Sequence, residues 1–512
     1  MNIEKITTLG QLKKSGYISK SIKDEVRDNL IKSIQEKENA FTGIMGYEDT
    51  VIPDTERAIL SRHNILFLGL RGQAKTRMAR QMVDLLDEYI PVVAGSEVND
   101  DPLKPFSKYA IDKIAELGDK TPIQWLHRSE RYGEKLATPD VSVADLIGDI
   151  DPIKAANLKL SFSDEKVIHY GIIPRSNRGI FVINELPDLQ ARIQVSLFNI
   201  LQEGDIQIRG FKLRMPLDIL FVFTANPEDY TNRGSIVTPL KDRIQSQILT
   251  HYPKSIETSL LITEQEAKIN DVQKKLVNIS DLIKRLVEQV AFEARSNEYV
   301  DKKSGVSARL TIAAFENAVS SAERRAIMHK EKNTQVWISD LTGIIPSITG
   351  KIELVYEGEQ EGPYEVALNL LNKSIRNQFI QYFPNPELTK KRKTNKKATE
   401  EPVVENPYKL VTAWFDAGNQ LDLLLDMKDA DKIAALYKVD GLYGVVKKHY
   451  PHANEKESAL LMEFVLHGLA AFSMINKKMI DGKIEFKDLM GSIMNLGNMG
   501  FGEDDFNESD YQ

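Results

Sequence analysis

The chain has 512 residues, 42% of them hydrophobic, enough for roughly three or four domains with real cores, and this excludes wholesale disorder. Its 67 basic residues against 74 acidic ones leave a net charge of −7, which argues against a general nucleic-acid binder. No cysteine occurs, so disulfides, cysteine zinc sites and thiol catalysis are excluded, and the composition suits a reducing compartment, the cytoplasm.

Residues 1–40 read as an N-terminal helical segment, charged, with Ile22, Val26, Leu30 and Ile34 four apart. Met1-Asn2-Ile3-Glu4-Lys5 carries no apolar signal core. A stretch from Phe41 to Ser61 follows, with Ile44-Met45-Gly46-Tyr47-Glu48 near its start. Such a stretch either wraps a nucleotide base or is an ordinary loop-helix lead-in.

The chain is organised around what comes next. Ile65-Leu66-Phe67-Leu68 is an unbroken apolar run. It turns through Gly69-Leu70-Arg71-Gly72-Gln73-Ala74-Lys75-Thr76, after which Met78, Ala79, Met82, Val83 and Leu86 fall at helical spacing. Strand, glycine-bearing loop, Lys-Thr and helix are the parts of a phosphate-binding loop. Backbone N–H groups would cradle the phosphates of ATP, Lys75 would reach the β and γ phosphates, and Thr76 would sit on Mg²⁺. The pattern asks for glycine where Ala74 stands, so position 74 is expected to stay out of the left-handed region.

Residues 91–137 carry mixed loops and short helices, and Thr138 to Asp151 is turn-rich and acidic. Ile180-Phe181-Val182-Ile183 reads as a second buried strand, with Asn184-Glu185 at its carboxyl end, where open parallel sheets bind ligands. This is the Walker B arrangement with Asn184 in the aspartate position. Asn184 accepts a hydrogen bond but brings no charge to the metal, so magnesium affinity is expected to fall. Glu185 remains as general base, or else as a strand-end glutamate in solvent.

Leu189, Ile193, Leu197, Ile200 and Leu201 form one helical stripe closed by Gly204. Ile206, Ile208, Phe211, Leu213 and Met215 alternate around Arg209-Gly210, a hairpin signal with a two-residue turn. A third buried strand, Ile219 to Phe223, ends in Thr224-Ala225-Asn226-Pro227. Asn226 is placed for a γ-phosphate or its attacking water, or to cap a loop before proline. Arg243 in Leu240-Lys241-Asp242-Arg243 reads by itself as a surface arginine, and Arg309 starts an amphipathic helix. Lys390 to Lys397 reads as a solvated linker, residues 405–490 as all-helical, and Ala459 to Ile475 as a buried helix too short and polar to span a bilayer.

Taken together the motifs resemble AAA+ ATPases of the helix-2-insert group, which includes MoxR-type ATPases and the magnesium chelatase motor subunit. The resemblance runs from about Ile44 to Ala326. It rests on Gly69 to Thr76, Ala137-Thr138-Pro139-Asp140, Leu146-Ile147-Gly148-Asp149-Ile150-Asp151, Asn177-Arg178-Gly179, Glu185, Asn226-Pro227-Glu228, Leu240 to Arg243 and Val306-Ser307-Ala308-Arg309. It implies an α/β P-loop NTPase fold: a three-layer αβα core on a parallel sheet, then an all-helical lid and a further mainly helical region. The divisions expected are 1–40, the ATP-binding core 41–254, the lid 255–345, a mixed segment and basic linker 346–404, a helical domain 405–497 and an acidic tail 498–512.

The resemblance further implies a homo-oligomeric ring, usually a hexamer, with ATP between subunits. It makes Asn226 the sensor-1 residue, Arg243 the arginine finger and Arg309 the sensor-2 residue, and implies a partner with a von Willebrand A-type domain. The function expected is an ATP hydrolase that remodels a partner protein, its turnover weakened by Asn184 and Ala74. A nucleotide-gated scaffold with little turnover is the alternative. An enhancer-binding transcriptional activator is another, although its Gly-Ala-Phe-Thr-Gly-Ala loop does not occur in the sequence.

Overall fold

The computed structural model describes residues 3–161, 164–208, 214–227, 235–389, 406–480 and 482–489. It divides into two compact units, Met1–Pro253 and Lys254–Gln512.

In the first unit five strands make one sheet: β1 Ile65–Leu68, β2 Tyr132–Leu136, β3 Gly179–Asn184, β4 Ile219–Ala225 and β5 Ser246–Leu249. Their spatial order is β5-β1-β4-β3-β2, every neighbouring pair parallel. Successive residues of a strand face opposite sides. Ile65, Phe67, Ile180, Val182, Leu220 and Val222 therefore enter one core with three helices, α1 Ile22–Glu36, α2 Val51–Leu60 and α3 Lys75–Gln81. Leu66, Phe181, Ile183, Phe221 and Phe223 enter a second core with Leu189, Ile193 and Leu197. Both faces are covered, which is why the central strands read as continuous apolar runs. The result is the expected αβα P-loop core.

Helix α1 starts at Ser21, whose side chain accepts from the Asp24 amide, and buries Ile22, Val26 and Leu30, while Ile34 is exposed. Its Glu25 is buried and paired with the guanidinium of Arg131 at 2.6 and 2.7 Å. The acidic stretch after β2 forms a small antiparallel pair, Gly148–Ile150 with Ile168–Tyr170. Asp205–Gln207 and Arg214–Pro216 pair antiparallel with Ile206 opposite Met215. The register leaves residues 208–213 between the paired ends, and the expected Arg209-Gly210 turn lies outside the described residues.

The second unit is built on four long helices: α4 Asp281–Ser296, α5 Arg309–His329, α6 Pro363–Tyr382 and α7 Glu455–Ala471. Helix α7 is buried on every side from Ser458 to Leu469. Among the described residues no helix is long and apolar enough to cross a membrane. The expectation of an all-helical stretch over 405–490 is corrected by a three-stranded antiparallel sheet. Its strands are β6 Leu421–Leu424, β7 Asn476–Ile480 and β8 Lys483–Lys487, with β8 central. Leu421, Leu423, Ile484 and Phe486 alternate into the core, and a two-residue period over four or five residues leaves too short a trace to read. One core runs from Val277 to Phe486, with no gap in packing at residue 345. The basic run from Lys390 and the acidic tail lie outside the described residues.

Candidate functional site

The loop after β1 is held by side chains from elsewhere in the unit. A Cβ on Gly69 would lie 2.0 Å from Thr250 Oγ1 and 2.3 Å from Gln73 Oε1, so a larger residue there would displace the side chains that hold the loop. Thr250 donates to Gln73 Oε1 at 2.7 Å, and Tyr252 donates its hydroxyl to Arg71 O at 3.0 Å. The buried Tyr47 hydroxyl lies 2.9 Å from both Gln73 O and His251 O, so the lead-in segment grips the loop from the side. Burial pushes the Tyr47 phenol well above its usual range and keeps it a donor.

Gly72 and Ala74 both have left-handed backbones, with φ of 72° and 55°. The expectation that Ala74 would avoid that region is therefore corrected. The tyrosines and Thr250 fix both ends of the turn, and a turn so over-determined can carry an alanine at a cost of about 1–2 kcal/mol.

Lys75, Glu185 and Asn226 meet. The Lys75 ammonium, at 7% exposure, donates to Gly69 O, to Leu70 O at 2.9 Å and to Asn226 Oδ1 at 2.6 Å. The other end of Asn226 donates to Glu185 Oε2 at 2.9 Å. Glu185 follows β3 in a left-handed conformation, φ 53°, its amide donating to Thr224 Oγ1 at 3.2 Å. Three strand ends thus deliver an ammonium, a carboxamide and a carboxylate to one place.

Thr76 and Asn184 also meet. Thr76 Oγ1 donates to Asn184 Oδ1 at 3.3 Å, and Thr224 Oγ1 donates to the same oxygen at 3.1 Å. A hydroxyl and an amide oxygen are the hard donors magnesium takes, and the pair fits the expected cation.

The Asn184 amine end donates to Glu134 Oε1 at 2.5 Å. Glu134 lies on edge strand β2, which carries no apolar run, and the sequence reading missed it. The carboxylate also takes the Arg80 guanidinium at 2.9 and 3.1 Å and the Tyr132 hydroxyl at 2.9 Å. Burial raises the Glu134 pKa, but the Arg80 and Tyr132 hydrogen bonds outweigh it and hold the acid below the usual glutamate range.

Arg243 is not part of this cluster. Its partners are Gln202 Oε1 at 3.0 Å, Pro239 O at 2.8 Å and the Phe198 ring. Arg309 begins helix α5 of the second unit, its amide donating to Ser307 Oγ at 3.1 Å.

The family described as the Sigma-54 interaction domain matches residues 157–248. Among curated proteins, magnesium-chelatase subunit ChlI of Chlorella vulgaris is 25% identical over 330 residues, covering 60% of this chain and 86% of that one. The chloroplastic ChlI of Nicotiana tabacum is 24% identical over 344 residues, covering 64% and 76%. Among solved structures, a chain from the complex of magnesium chelatase subunits BchI and BchD is 20% identical. It covers 63% of this chain and 98% of that one at a TM-score of 0.33.

Proposed function

We propose that this chain, which resembles the AAA+ ATPases of the magnesium-chelatase motor group, hydrolyses ATP with Mg²⁺ between the subunits of a homo-oligomeric ring, a hexamer, and uses the turnover to remodel a partner protein. The observation that carries the reading is the chain of contacts Lys75–Asn226–Glu185 beside the loop of Gly69, Leu70, Arg71, Gly72, Gln73, Ala74, Lys75 and Thr76.

Lys75 spends its hydrogen bonds on two loop carbonyls and on Asn226. Phosphate oxygens are stronger acceptors for an ammonium than peptide carbonyls, so a triphosphate entering the loop takes the ammonium over. Asn226 then holds the Glu185 carboxylate within reach of the γ-phosphate, where Glu185 orients and deprotonates the attacking water. Thr76 and Asn184 would hold Mg²⁺, which when bound neutralises charge on the phosphate oxygens. Arg243 is offered to the neighbouring subunit's nucleotide, and Arg309 serves as sensor. The remodelled partner carries a von Willebrand A-type domain, as in MoxR-type systems, and the ring works in the cytoplasm.

A second reading has one observation in its favour. The Sigma-54 interaction match spans the Glu185, hairpin and Asn226 region, which supports a likeness to enhancer-binding activators. The Gly-Ala-Phe-Thr-Gly-Ala string of those activators does not occur in the sequence, and remodelling of another partner is preferred.

Lys75→Ala is expected to remove about 1.5–3 kcal/mol of charge-assisted hydrogen bonding, or roughly ten- to 150-fold in Kd for ATP, read by equilibrium titration with a fluorescent analogue. Equal affinity in variant and parent would refute the site. Glu185→Gln should keep the affinity and stop phosphate release in a single-turnover assay with excess enzyme. Should the parent itself release no phosphate with Mg²⁺ and partner present, the protein is a nucleotide-gated scaffold instead.

A further inference from the structure

The magnesium side of the site has an asparagine where an aspartate would bring a negative charge, yet a carboxylate lies one hydrogen bond further out. An ionised carboxylate can only accept, so the group that Asn184 turns toward Glu134 must be its amine. The carboxamide is planar and rigid. Fixing the amine on Glu134 therefore fixes the carbonyl oxygen on the opposite side, where it meets the hydroxyls of Thr76 and Thr224. Glu134 is itself held by Tyr132 on its own strand and by Arg80, one helical turn beyond Thr76 on α3. The chain Thr76–Asn184–Glu134–Arg80 leaves and returns to the same helix.

We infer that Glu134 is the positioning acid of the magnesium site: it locks Asn184 with its carbonyl oxygen facing the cation and supplies from β2 the anion that position 184 lacks. The inference rests on the nucleotide-site reading above and deepens it. Asn184 alone could present either end of its amide to the cation, and the wrong end is a donor that repels it. With Glu134 ionised only one orientation keeps both hydrogen bonds. Arg80 offsets the acid's charge only in part, because its side chain is 62% exposed and its field is screened by solvent. The acid and amide are then the usual pair with their positions exchanged between neighbouring strands.

The exchange can be tested by reversing it. Glu134→Gln, Asn184→Asp and the double variant are compared with the parent as full-length protein. The probe is Mn²⁺, titrated by electron paramagnetic resonance with a saturating non-hydrolysable ATP analogue, and nucleotide affinity is measured separately in EDTA. Glu134→Gln in the parent background is expected to weaken Mn²⁺ by about tenfold, the usual loss for an outer partner of a metal ligand. In the Asn184→Asp background two carboxylates face each other at hydrogen-bond distance and cannot both ionise readily. There the same Glu134→Gln change should strengthen Mn²⁺ binding, so its sign reverses. A loss of equal size in both backgrounds would mean that Glu134 only supports the strand, and an effect under about twofold in the parent would overturn the inference. If Glu134→Gln alone fails to fold, the reversal is read between Asn184→Asp and the double variant, which keeps the hydrogen bond with donor and acceptor exchanged. A parent that binds no nucleotide in EDTA overturns the site reading and this inference together. A parent that binds nucleotide but is indifferent to residue 134 overturns this inference alone.

Discussion

Ala74 carries a methyl group where the backbone turns left-handed, at φ 55°. Replacing it with glycine removes about 1–2 kcal/mol of strain and returns roughly 0.4–1 kcal/mol to the unfolded chain as entropy. Ala74→Gly is therefore expected to stabilise the protein by about 0.5–1 kcal/mol, seen as a raised thermal midpoint. Ala74→Val should lower it, because a β-branched residue is worse still at positive φ. The loop residues, Lys75, Glu185 and Asn226 were legible because each follows an apolar run at the spacing a phosphate site requires. The left-handed Ala74 was not, because what holds it comes from Tyr47, Thr250 and Tyr252, remote in sequence. Glu134 was hidden for the same reason, since its importance depends on which strand β2 lies beside.

At the scale of elements, the strands visible in the sequence were the interior ones. Strands β1, β3 and β4 are apolar on both faces, whereas the edge strands β2 and β5 are half exposed and mixed in character. Their hydrophobic demand is halved, and their trace in the sequence with it. Helix α7 makes the opposite case, being so thoroughly buried that it seals in His467, which among the described residues has no hydrogen-bond partner on either ring nitrogen. Burial, then the charges of Lys477 and Lys432, hold that imidazole neutral well below its usual pKa. The unfolded chain takes up a proton near pH 6.5 that the folded chain refuses. Stability should thus be lost as pH falls below about 6.5, approaching roughly 1.4 kcal/mol per pH unit from this residue. His467→Leu should flatten that part of the curve, which chemical denaturation at pH 5 and pH 8 would read as a smaller difference between the two. An unchanged difference would mean that other groups set the acid limb.

For the whole molecule, the two units have separate cores: the residues lining both sides of the sheet lie within 22–248, and the other core within 277–486. A fragment ending at Pro253 should remain folded, with a cooperative melt and dispersed amide resonances. A fragment ending at residue 345 should aggregate, because it cuts through one apolar core whose members run on to Phe486. The polar links fail with them. Glu463 accepts the amides of Ile338 and Ser339, and Asp429 accepts the Trp337 indole at 2.8 Å. Among them is Arg325 on α5, at 1% exposure, bound to Asp340, Asp429, Thr334 and the carbonyl of Gln335. Stripping a partner from such a buried charge costs about 3–5 kcal/mol. That guanidinium acts as a rivet between α5 and the chain that follows, so the part of the second unit beyond residue 345 is no detachable cassette. Grafting it onto a related chain would require transplanting α4 and α5 along with it.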